Sequence, residues 1–528
     1  VTVDRDLVCY DYYSMMVPRR NAMSLLAGCA FFVLSLSNVA LVTSFSVGRQ
    51  PNRNNLAPAR RFATVPSQET PLTTTTIATT TAAPTPSWDS LTEILQQQQQ
   101  SKDEPSEPLV TLYRDTNGWC PFCERVWVAL RAKNITYRES LVNLQNKPQW
   151  YKDLVPTTLV PAVLFHNQPT RSDGETTEDD KPQPTNERRL VWESMDILRA
   201  LDEEFPNHGP PLVVQDSPGF DVALASANDL VGAGFRFQFA ARNETNDDAA
   251  VQKLRDAFEV QLNQLDAALE TAANSSNKDK AFFAGGTHFT AVDACLLPAL
   301  ERWRYQLPLT LEMDILEGRA HLQAYLDSLM QRYAPYAHRV AGDEYSWTAV
   351  ASTFLRFFSG NETNAQVANA MERADAAAET LRHSFADPSS SVLPVLENQV
   401  VFCQEAATKL ISNHEAVVQD CTNPDPKSQT DLPRASNVEV ADAVLRHVAS
   451  LLLAGDDDDD DILERAQTVP LPELLNNDSA AAAVEAALAA RTVASRLCVP
   501  RDMSGPAAQT LRAVLAITAN RLEEAEKQ

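Results

Sequence analysis

The feature that most constrains this chain is a Cys-Pro-Phe-Cys motif, Cys120–Cys123, placed just after a short apolar stretch. The stretch Leu109–Tyr113 has the composition of a β-strand, and Asp115–Gly118 is typical of a turn. Pro121 suits the first position of a helix, because the N–H that it lacks would be unpaired there. The pattern therefore predicts a strand, a turn and a helix that begins at the first cysteine.

This position predicts a reactive thiol. The unpaired N–H groups and the dipole at a helix N-terminus both favour the thiolate form of Cys120, as does Cys-X-X-Cys spacing. Cys123 lies one turn further along the helix, where it can attack a mixed disulfide formed on Cys120. We therefore interpret both cysteines as catalytic residues of a redox site.

Two other interpretations of the pair stay open at this stage. A structural zinc site needs four ligands, and the sequence offers no second Cys-X-X-Cys and no nearby histidine cluster, so no metal is expected. Alternatively, both cysteines are ordinary core residues. A Cys-X-X-Cys before a helix in a β–α context favours the redox interpretation.

Length and composition set the broader limits. A chain of 528 residues is too long for one core and predicts two to four domains. The net charge of −25 argues against nucleic acid as a partner, because a polyanion would be repelled. The eight cysteines are mostly scattered, which indicates a reducing compartment rather than a disulfide scaffold.

Residues 1–107 are predicted to be a targeting presequence followed by a disordered linker. Arg19 and Arg20 precede the apolar run Leu25–Val42, as in a secretory signal peptide. A retained membrane anchor is the alternative for this run.

The segment after Phe45 carries arginines but no acidic residue until Glu69, and it resembles a plastid transit peptide. A signal peptide joined to such a segment resembles the two-part presequence of algae with secondary plastids, which implies import into a plastid. The alternative is a secreted protein with a disordered stalk. The glutamine run Gln96–Gln100 is interpreted as the end of the linker.

Residues 108–208 are predicted to form the first folded unit, in the order βαβαββα. The predicted elements after the Cys-Pro-Phe-Cys helix are strand Ile135–Glu139, helix Pro148–Leu154, strands Pro161–Phe165 and Arg189–Trp192, and helix Ser194–Phe205. Residues 169–187 are acidic and almost without apolar side chains, and we interpret them as a disordered insertion between the last two strands.

Four segments of this unit together resemble the thioredoxin-like N-terminal domain of cysteine-type glutathione transferases, namely the omega, dehydroascorbate reductase and lambda classes. They are Trp119–Trp127 (Trp-Cys-Pro-Phe-Cys-Glu-Arg-Val-Trp), Asn146–Trp150 (Asn-Lys-Pro-Gln-Trp), Leu159–Val163 (Leu-Val-Pro-Ala-Val) and Trp192–Ser194 (Trp-Glu-Ser). Many relatives have Ala or Ser in place of Cys123, so the second cysteine permits a dithiol route. Some Cys-Pro-X-Cys proteins hold an iron–sulfur cluster between subunits, which is a further alternative.

The resemblance implies a role for each matching residue toward glutathione. Cys120 would form the mixed disulfide, Lys147 would meet a carboxylate, and Val160, before a cis bond to Pro161, would pair its backbone with the cysteinyl part. Glu193 and Ser194 would hold the γ-glutamyl end, and a helix start at Ser194 suits a carboxylate. The residues expected to bind glutathione are thus Phe122, Lys147, Val160, Pro161, Glu193 and Ser194.

Residues 217–350 are predicted to form a second, all-helical domain. Its Gly-Gly-x-x-Phe-Thr-x-x-Asp sequence, ending at Asp293, resembles the folding signature of the glutathione transferase C-terminal domain. Thr290 and Asp293 have the spacing of a helix capping box, so Asp293 is expected to be structural. Cys295 is expected to be a buried small residue.

Residues 362–528 are Ala-rich and predicted to form a further helical extension. The run Asp456–Asp461 lacks the spaced ligands and turn glycine of a calcium loop and is interpreted as a solvated loop. Val499–Ser504 resembles a segment near the end of some plant and algal plastid transferase-like proteins.

The sequence therefore predicts an α+β glutathione-dependent thiol transferase or reductase. Its expected partners are glutathione as cosubstrate and a small-molecule or protein disulfide, with neither nucleic acid nor, after processing, a membrane; a homodimer is compatible with the resemblance. A conjugating transferase and a non-catalytic binding scaffold are the alternatives. Conjugating enzymes normally activate glutathione with a Tyr or Ser hydroxyl.

Overall fold

The computed structural model describes residues 85–100, 107–166, 189–241, 247–274, 288–359, 365–386, 399–423, 434–455, 461–472, 475 and 480–526. The predicted signal and transit segments, the whole acidic insertion 169–187, the two glycines of the folding signature and residues 456–460 of the Asp run lie outside these ranges. In the described part of the chain, no helix combines the length and the apolar character needed to cross a bilayer.

The first unit has the predicted βαβαββα order. Its elements are β1 Val110–Asp115, α2 Pro121–Ala132, β2 Tyr137–Val142, α3 Gln149–Leu154, β3 Ala162–Phe165, β4 Leu190–Trp192 and α4 Ser194–Glu204. The four strands form one sheet in the order β2-β1-β3-β4, with β1 and β2 parallel and the other pairs antiparallel. This is a thioredoxin-like sheet, and the α+β prediction is confirmed.

Apolar spacing explains why α2 packs against this sheet. Val126 and Leu130 repeat at helical spacing and are fully buried. The next position on that face is Lys133, whose buried ammonium donates to Asp202 over 2.8 Å. Asp202 also accepts the backbone N–H of Leu212, so this ion pair ties the first unit to the chain that leaves it.

A helical layer follows. Its helices are α5 Pro218–Ala241, α6 Asp248–Asn274, α7 Ala291–Thr310, α8 Ala320–Arg332, α9 Ala334–Ala337 and α10 Glu344–Ser359. The capping box at the start of α7 is present, and the other carboxylate oxygen of Asp293 accepts the Tyr325 hydroxyl over 2.8 Å. Asp293 is therefore structural, and α7 is the buried helix against which both α2 and α5 pack.

The remaining chain forms further helices around a core of its own. They are α11 Ala365–His383, α12 Gln399–Ser412, α13 His414–Thr422, α14 Val438–Leu453, α15 Ile462–Thr468, α16 Ala480–Arg496 and α17 Gly505–Glu526. Alanines at the contact surfaces of α16 and α17 allow the two helices to lie close together, because a methyl side chain adds little bulk.

The interpretation of all residues up to 107 as presequence and disordered linker is wrong for one segment. Trp88–Gln100 forms a helix, α1, in which Leu91 and Leu95 share one face and are buried against α12 and α14. The Trp88 indole N–H donates to Asp442 over 2.7 Å. The four-residue spacing of Leu91 and Leu95 ahead of the glutamine run is the sequence signal for this helix. Burial of that face against other helices stabilises it.

Candidate active site

Cys120 is the N-cap residue of α2. Its carbonyl oxygen accepts the first helical hydrogen bond, from the N–H of Glu124 over 3.1 Å. The Cys120 side chain is partly exposed, whereas Cys123 is 1 % exposed. Only Cys120 can therefore meet a substrate that arrives from solvent.

The second cysteine is held as a thiol. Burial raises the pKa of Cys123 well above its usual value, and the hydrogen bond with Cys120 and the charges of Cys120 and Asp115 act in the same direction. The two sulfur atoms and a carboxylate oxygen of Asp115 all lie within 4.8 Å of one another. These are three donors, one fewer than a structural zinc site uses.

A groove beside α2 collects most of the predicted glutathione residues. It is lined by Phe122, Thr157, Leu159, Val160, Pro161, Glu193 and Ser194. The Val160–Pro161 peptide bond is cis, as predicted. Cys120 packs against the small apolar cluster that contains Cys123 and Val160, so the nucleophile and this groove adjoin.

The far end of the groove is the N-terminus of α4. Glu193 caps this helix with a positive φ of 74°, a conformation that is uncommon for non-glycine residues. Ser194 is buried, and its hydroxyl oxygen accepts a hydrogen bond from the guanidinium of Arg125 over 3.2 Å. A buried cation and free helical N–H groups thus lie behind this end of the groove, which suits a carboxylate.

Lys147 adjoins the groove without lining it. Its ammonium donates to the carbonyl oxygen of Thr158 over 2.9 Å, and Thr158 lies between two groove residues. Burial lowers the pKa of Lys147, while the charge of Cys120 opposes that shift. The ammonium therefore lies near enough to Cys120 to interact with a thiolate there.

Trp119, the residue before the nucleophile, is held from three elements. Its backbone N–H donates to the Asp115 carboxylate at the end of β1 over 2.7 Å. Its backbone carbonyl oxygen accepts a hydrogen bond from the guanidinium of Arg302 of α7 over 3.1 Å. Its ring packs edge-on against Phe354 of α10, with 5.5 Å between centroids. The backbone position of Cys120 therefore depends on residues far away in sequence.

The C-terminal helices also contact this segment. Gly118 has a positive φ of 70°, and a Cβ placed on it would come within 3.0 Å of Pro500. Trp119 packs against the cluster that includes Cys498, and the guanidinium of Arg339 donates to the carbonyl oxygen of Pro500 over 2.9 Å. The segment Val499–Ser504, which resembles part of some plastid transferase-like proteins, thus adjoins the residues that immediately precede Cys120.

A buried cluster of charges lies beneath the motif. The guanidinium of Arg302 donates to Glu124 over 2.6 Å and lies 4.3 Å above the Trp347 ring. Burial raises the pKa of Glu124, and it raises that of neighbouring Glu301 well above the usual range, with the charge of Glu124 adding to the effect. One guanidinium lies beside two buried carboxylates, so burial and the charge of Glu124 both favour the protonated form of Glu301.

A wider cavity lies elsewhere, between α7, α8, α10 and α17. Its wall includes Arg304, Tyr305, Glu344 and Arg512, but neither Cys120 nor any residue of the groove. Size alone does not identify a reaction centre, so we assign the chemistry to the smaller groove beside the nucleophile.

Comparison with known proteins agrees with this geometry. A model of the glutathione S-transferase N-terminal domain matches residues 119–204, and one of the C-terminal domain matches residues 248–328. The chain is 26 % identical to glutathione S-transferase L2, chloroplastic, of Arabidopsis thaliana over 233 residues, which is 43 % of this chain and 67 % of that protein. It is 25 % identical to glutathione S-transferase DHAR3, chloroplastic, of the same plant over 215 residues, covering 41 % and 67 %.

Among solved structures, glutathione transferase Omega 3C of Trametes versicolor aligns with 46 % of this chain and 94 % of its own, at 19 % identity and a TM-score of 0.34. The two domain matches and the two curated relatives make the chain glutathione S-transferase-like over these segments, and they support a glutathione transferase-like enzyme. Helices α11 to α17 lie beyond the matched segments.

Sequence reasoning missed three contributors to this site. The sequence predicts Asp115 only as part of a turn, it shows Arg125 only within the Trp119–Trp127 motif, and no pattern predicts a role for Arg302. Each contacts the site through tertiary packing, so local spacing gave no signal for them. A charged residue at the end of a buried strand, such as Asp115, was the one available hint.

Proposed function

We propose that this chain is a glutathione-dependent thiol transferase or reductase with Cys120 as the nucleophile. The observation that carries the proposal is the placement of Cys120, which is partly exposed at a helix N-terminus and adjoins a groove lined by a cis-proline loop and a second helix N-terminus. The groove offers backbone, hydroxyl and charge contacts for a tripeptide thiol. This arrangement suits mixed-disulfide chemistry more directly than activation of a glutathione thiol by a hydroxyl.

The proposed reaction begins with attack of the Cys120 thiolate on a disulfide or a glutathionylated substrate. One sulfur of the substrate becomes bonded to Cys120, and the other leaves as a thiolate that takes a proton from solvent. Glutathione, or the Cys123 thiol after losing its proton, then attacks the Cys120 sulfur and releases the bound thiol. An oxidised small molecule such as dehydroascorbate is an alternative substrate.

Glutathione would lie in the groove with its cysteinyl part at Val160 and its γ-glutamyl carboxylate at Glu193 and Ser194. Val160 and Pro161, joined by the cis bond, both line the groove, and the guanidinium of Arg125 donates a hydrogen bond to the hydroxyl of Ser194. The ammonium of Lys147 would bind a carboxylate of the tripeptide. Phe122 would close the side of the groove next to α2.

The site of action is proposed to be the plastid. Two relatives are described as chloroplastic, and the predicted two-part presequence supports the same compartment. The scattered cysteines of the sequence, which indicate a reducing compartment, agree with this proposal.

Mass spectrometry tests the chemistry directly. After exposure to oxidised glutathione, the Cys123→Ser variant should carry one glutathione on Cys120, because the resolving thiol is missing and the adduct is trapped. Wild type should show less adduct and a Cys120–Cys123 disulfide, and Cys120→Ser should show neither. Peptide mapping that found glutathione mainly on other cysteines would defeat the proposal.

The groove assignment makes a separate prediction. In a Cys120→Ser background, which prevents covalent capture, Lys147→Met and Ser194→Ala should each raise the Kd for reduced glutathione about tenfold, as expected for losing a charge-assisted hydrogen bond. Titration calorimetry gives the values. The matched control is Lys152→Met, an exposed lysine on α3 that loses the same charge. Equal weakening by the control would show that only long-range charge matters.

A further inference from the structure

The C-terminal extension takes no part in the chemistry proposed above, yet part of it lies beside the residues that precede the nucleophile. This part is the segment 498–501, which lies between α16 and α17. Helices α11 to α17 lie beyond the segments that match glutathione S-transferase domains. The contact therefore involves a part of the chain to which the domain matches assign no role.

The two residues ahead of the nucleophile form one side of this contact. Gly118 has a φ of 70°, and a Cβ placed on it would lie 3.0 Å from the Pro500 ring, so Pro500 packs against bare backbone. The ring of Trp119 packs against the buried cluster that includes Cys498. The extension therefore meets the chain at both residues that lead into the nucleophile.

Arg339 joins the same segment to the helix that begins beside Cys120. Its guanidinium donates to the carbonyl oxygen of Pro500 over 2.9 Å and lies 4.5 Å from the centre of the Trp127 ring. Trp127 is a buried residue of α2. One cation therefore contacts both the extension and the helix that carries Cys123.

The segment 498–501 is itself held in place by buried polar groups. The backbone N–H of Val499 donates to the hydroxyl oxygen of Ser346 over 2.8 Å, and the guanidinium of Arg512 donates to the same oxygen over 3.2 Å. Arg512 also pairs with Asp343 and is 2 % exposed. Ser346 belongs to α10 and Arg512 to α17, so two helices set the position of the segment.

The position of Cys120 matters most for a substrate that lies in the groove. The groove fixes the sulfur of such a substrate, so the attacking thiolate must lie at the correct distance and angle from it. Misplacement of a reacting group by about 1 Å can lower a rate by about 10²-fold. A small reagent that meets Cys120 from solvent has no such requirement, because the groove does not fix its orientation.

We propose that Arg339 and Ser346 are positioning residues, which act through the segment 498–501 to align Cys120 with the glutathione groove. This inference rests on the proposed function and assigns a role to the extension. Neither residue lines the groove. Each holds one backbone group of the segment, so loss of either bond should let the segment shift, together with the residues that precede Cys120.

Two reagents separate alignment from intrinsic reactivity on the full-length protein in a Cys123→Ser background. With oxidised glutathione, the Cys120 thiolate bonds to one glutathione sulfur, and the other glutathione leaves as a thiolate. With iodoacetamide, the same thiolate bonds to carbon and iodide leaves, without use of the groove. Mass spectrometry of the Cys120 peptide gives both rate constants, and their ratio measures alignment.

Arg339→Met and Ser346→Ala should each lower the rate constant with oxidised glutathione about tenfold, while the rate constant with iodoacetamide stays within about twofold. Both variants should show this pattern, because one releases the Pro500 carbonyl oxygen and the other the Val499 N–H of the same segment. If Arg339→Met fails to fold, Ser346→Ala decides the outcome, since it removes a single oxygen atom.

Two further variants serve as controls. Arg339→Lys can still donate to the Pro500 carbonyl oxygen and should restore most of the ratio. Arg131→Met is the matched control, because Arg131 lies on α2 and donates to the carbonyl oxygen of Pro335 over 2.6 Å. Its loss removes the same kind of bond without touching the extension, so this variant should keep the wild-type ratio.

Binding of reduced glutathione completes the test. In a Cys120→Ser background, Arg339→Met and Ser346→Ala should leave the Kd within about twofold of its value without them, because the groove is intact. The expected loss thus lies in the rate of the covalent step and not in binding.

Several results would overturn the positioning role and leave the proposed function intact. They are an unchanged ratio, an equal slowing with both reagents, a fall of the ratio in Arg131→Met as large as in Arg339→Met, or a Kd raised about tenfold. If oxidised glutathione does not modify Cys120 when these two residues are intact, the proposed function and this inference fall together.

Discussion

Replacing Cys120 with serine is expected to abolish glutathione-dependent disulfide reduction, with kcat/KM falling by about 10³-fold or more. A serine oxygen keeps the size of the side chain but cannot form a mixed disulfide, so the first covalent step is lost. The measurement is turnover of a small disulfide, such as hydroxyethyl disulfide, with glutathione as reductant. A helix N-terminus and a groove remain in the variant, but they have no nucleophile to act on.

The matched control is Cys403→Ser, which makes the same atomic change at a buried thiol of α12 far from the groove. It should retain turnover within about twofold. Equal rates for wild type and Cys120→Ser would refute the proposed function. If wild type conjugates an electrophilic aromatic but reduces no disulfide, the conjugating alternative takes its place.

Replacing Arg302 with methionine is expected to cause the largest loss of stability, about 3–5 kcal/mol in the free energy of unfolding. Methionine fills a similar volume but leaves Glu124 without its cation in a buried site that also holds Glu301. The Trp119 carbonyl oxygen and the Trp347 ring lose their contacts with the guanidinium as well. Chemical denaturation followed by tryptophan fluorescence provides the measurement.

Two companion variants sharpen this test. Arg199→Met removes an exposed ion pair with Asp196 on α4 and should cost no more than about 1 kcal/mol. Adding Glu124→Gln to Arg302→Met should recover part of the loss, because the stranded charge is then gone. If Arg302→Met lowers the free energy of unfolding no more than the surface control does, the ion pair between Arg302 and Glu124 does not stabilise the buried cluster.

The local elements of the first unit could be predicted because their signals are short-range. Val126 and Leu130 repeat at helical spacing, and Pro121 marks the start of α2, so the helix and its cysteine N-cap follow from neighbouring residues. The cis bond at Pro161 was expected from the resemblance and is present. Strand boundaries differ from the predicted ones by one to three residues, with β2 at Tyr137–Val142 rather than Ile135–Glu139, because strand ends depend on partners elsewhere in the sheet.

The groove residues were also predictable individually, because the resemblance identified them one by one. Their proximity was not, since Phe122, Val160 and Glu193 lie on three different segments that only the sheet and its helices bring together. The helix over Trp88–Gln100 was missed for a related reason. Its two leucines are too few to stabilise an isolated helix in water, and burial against α12 and α14 stabilises it.

What this sequence determined by itself is the chemistry of position 120: a thiol at the start of a helix, one turn before a second thiol. That outcome depends on backbone hydrogen bonding and dipole direction within a few residues. Only the tertiary structure decided the surroundings of that thiol, with Asp115, Arg302 and Pro500 arriving from β1, α7 and the C-terminal helices. Buried charges and close backbone contacts depend on how distant segments pack, and no local pattern encodes that packing.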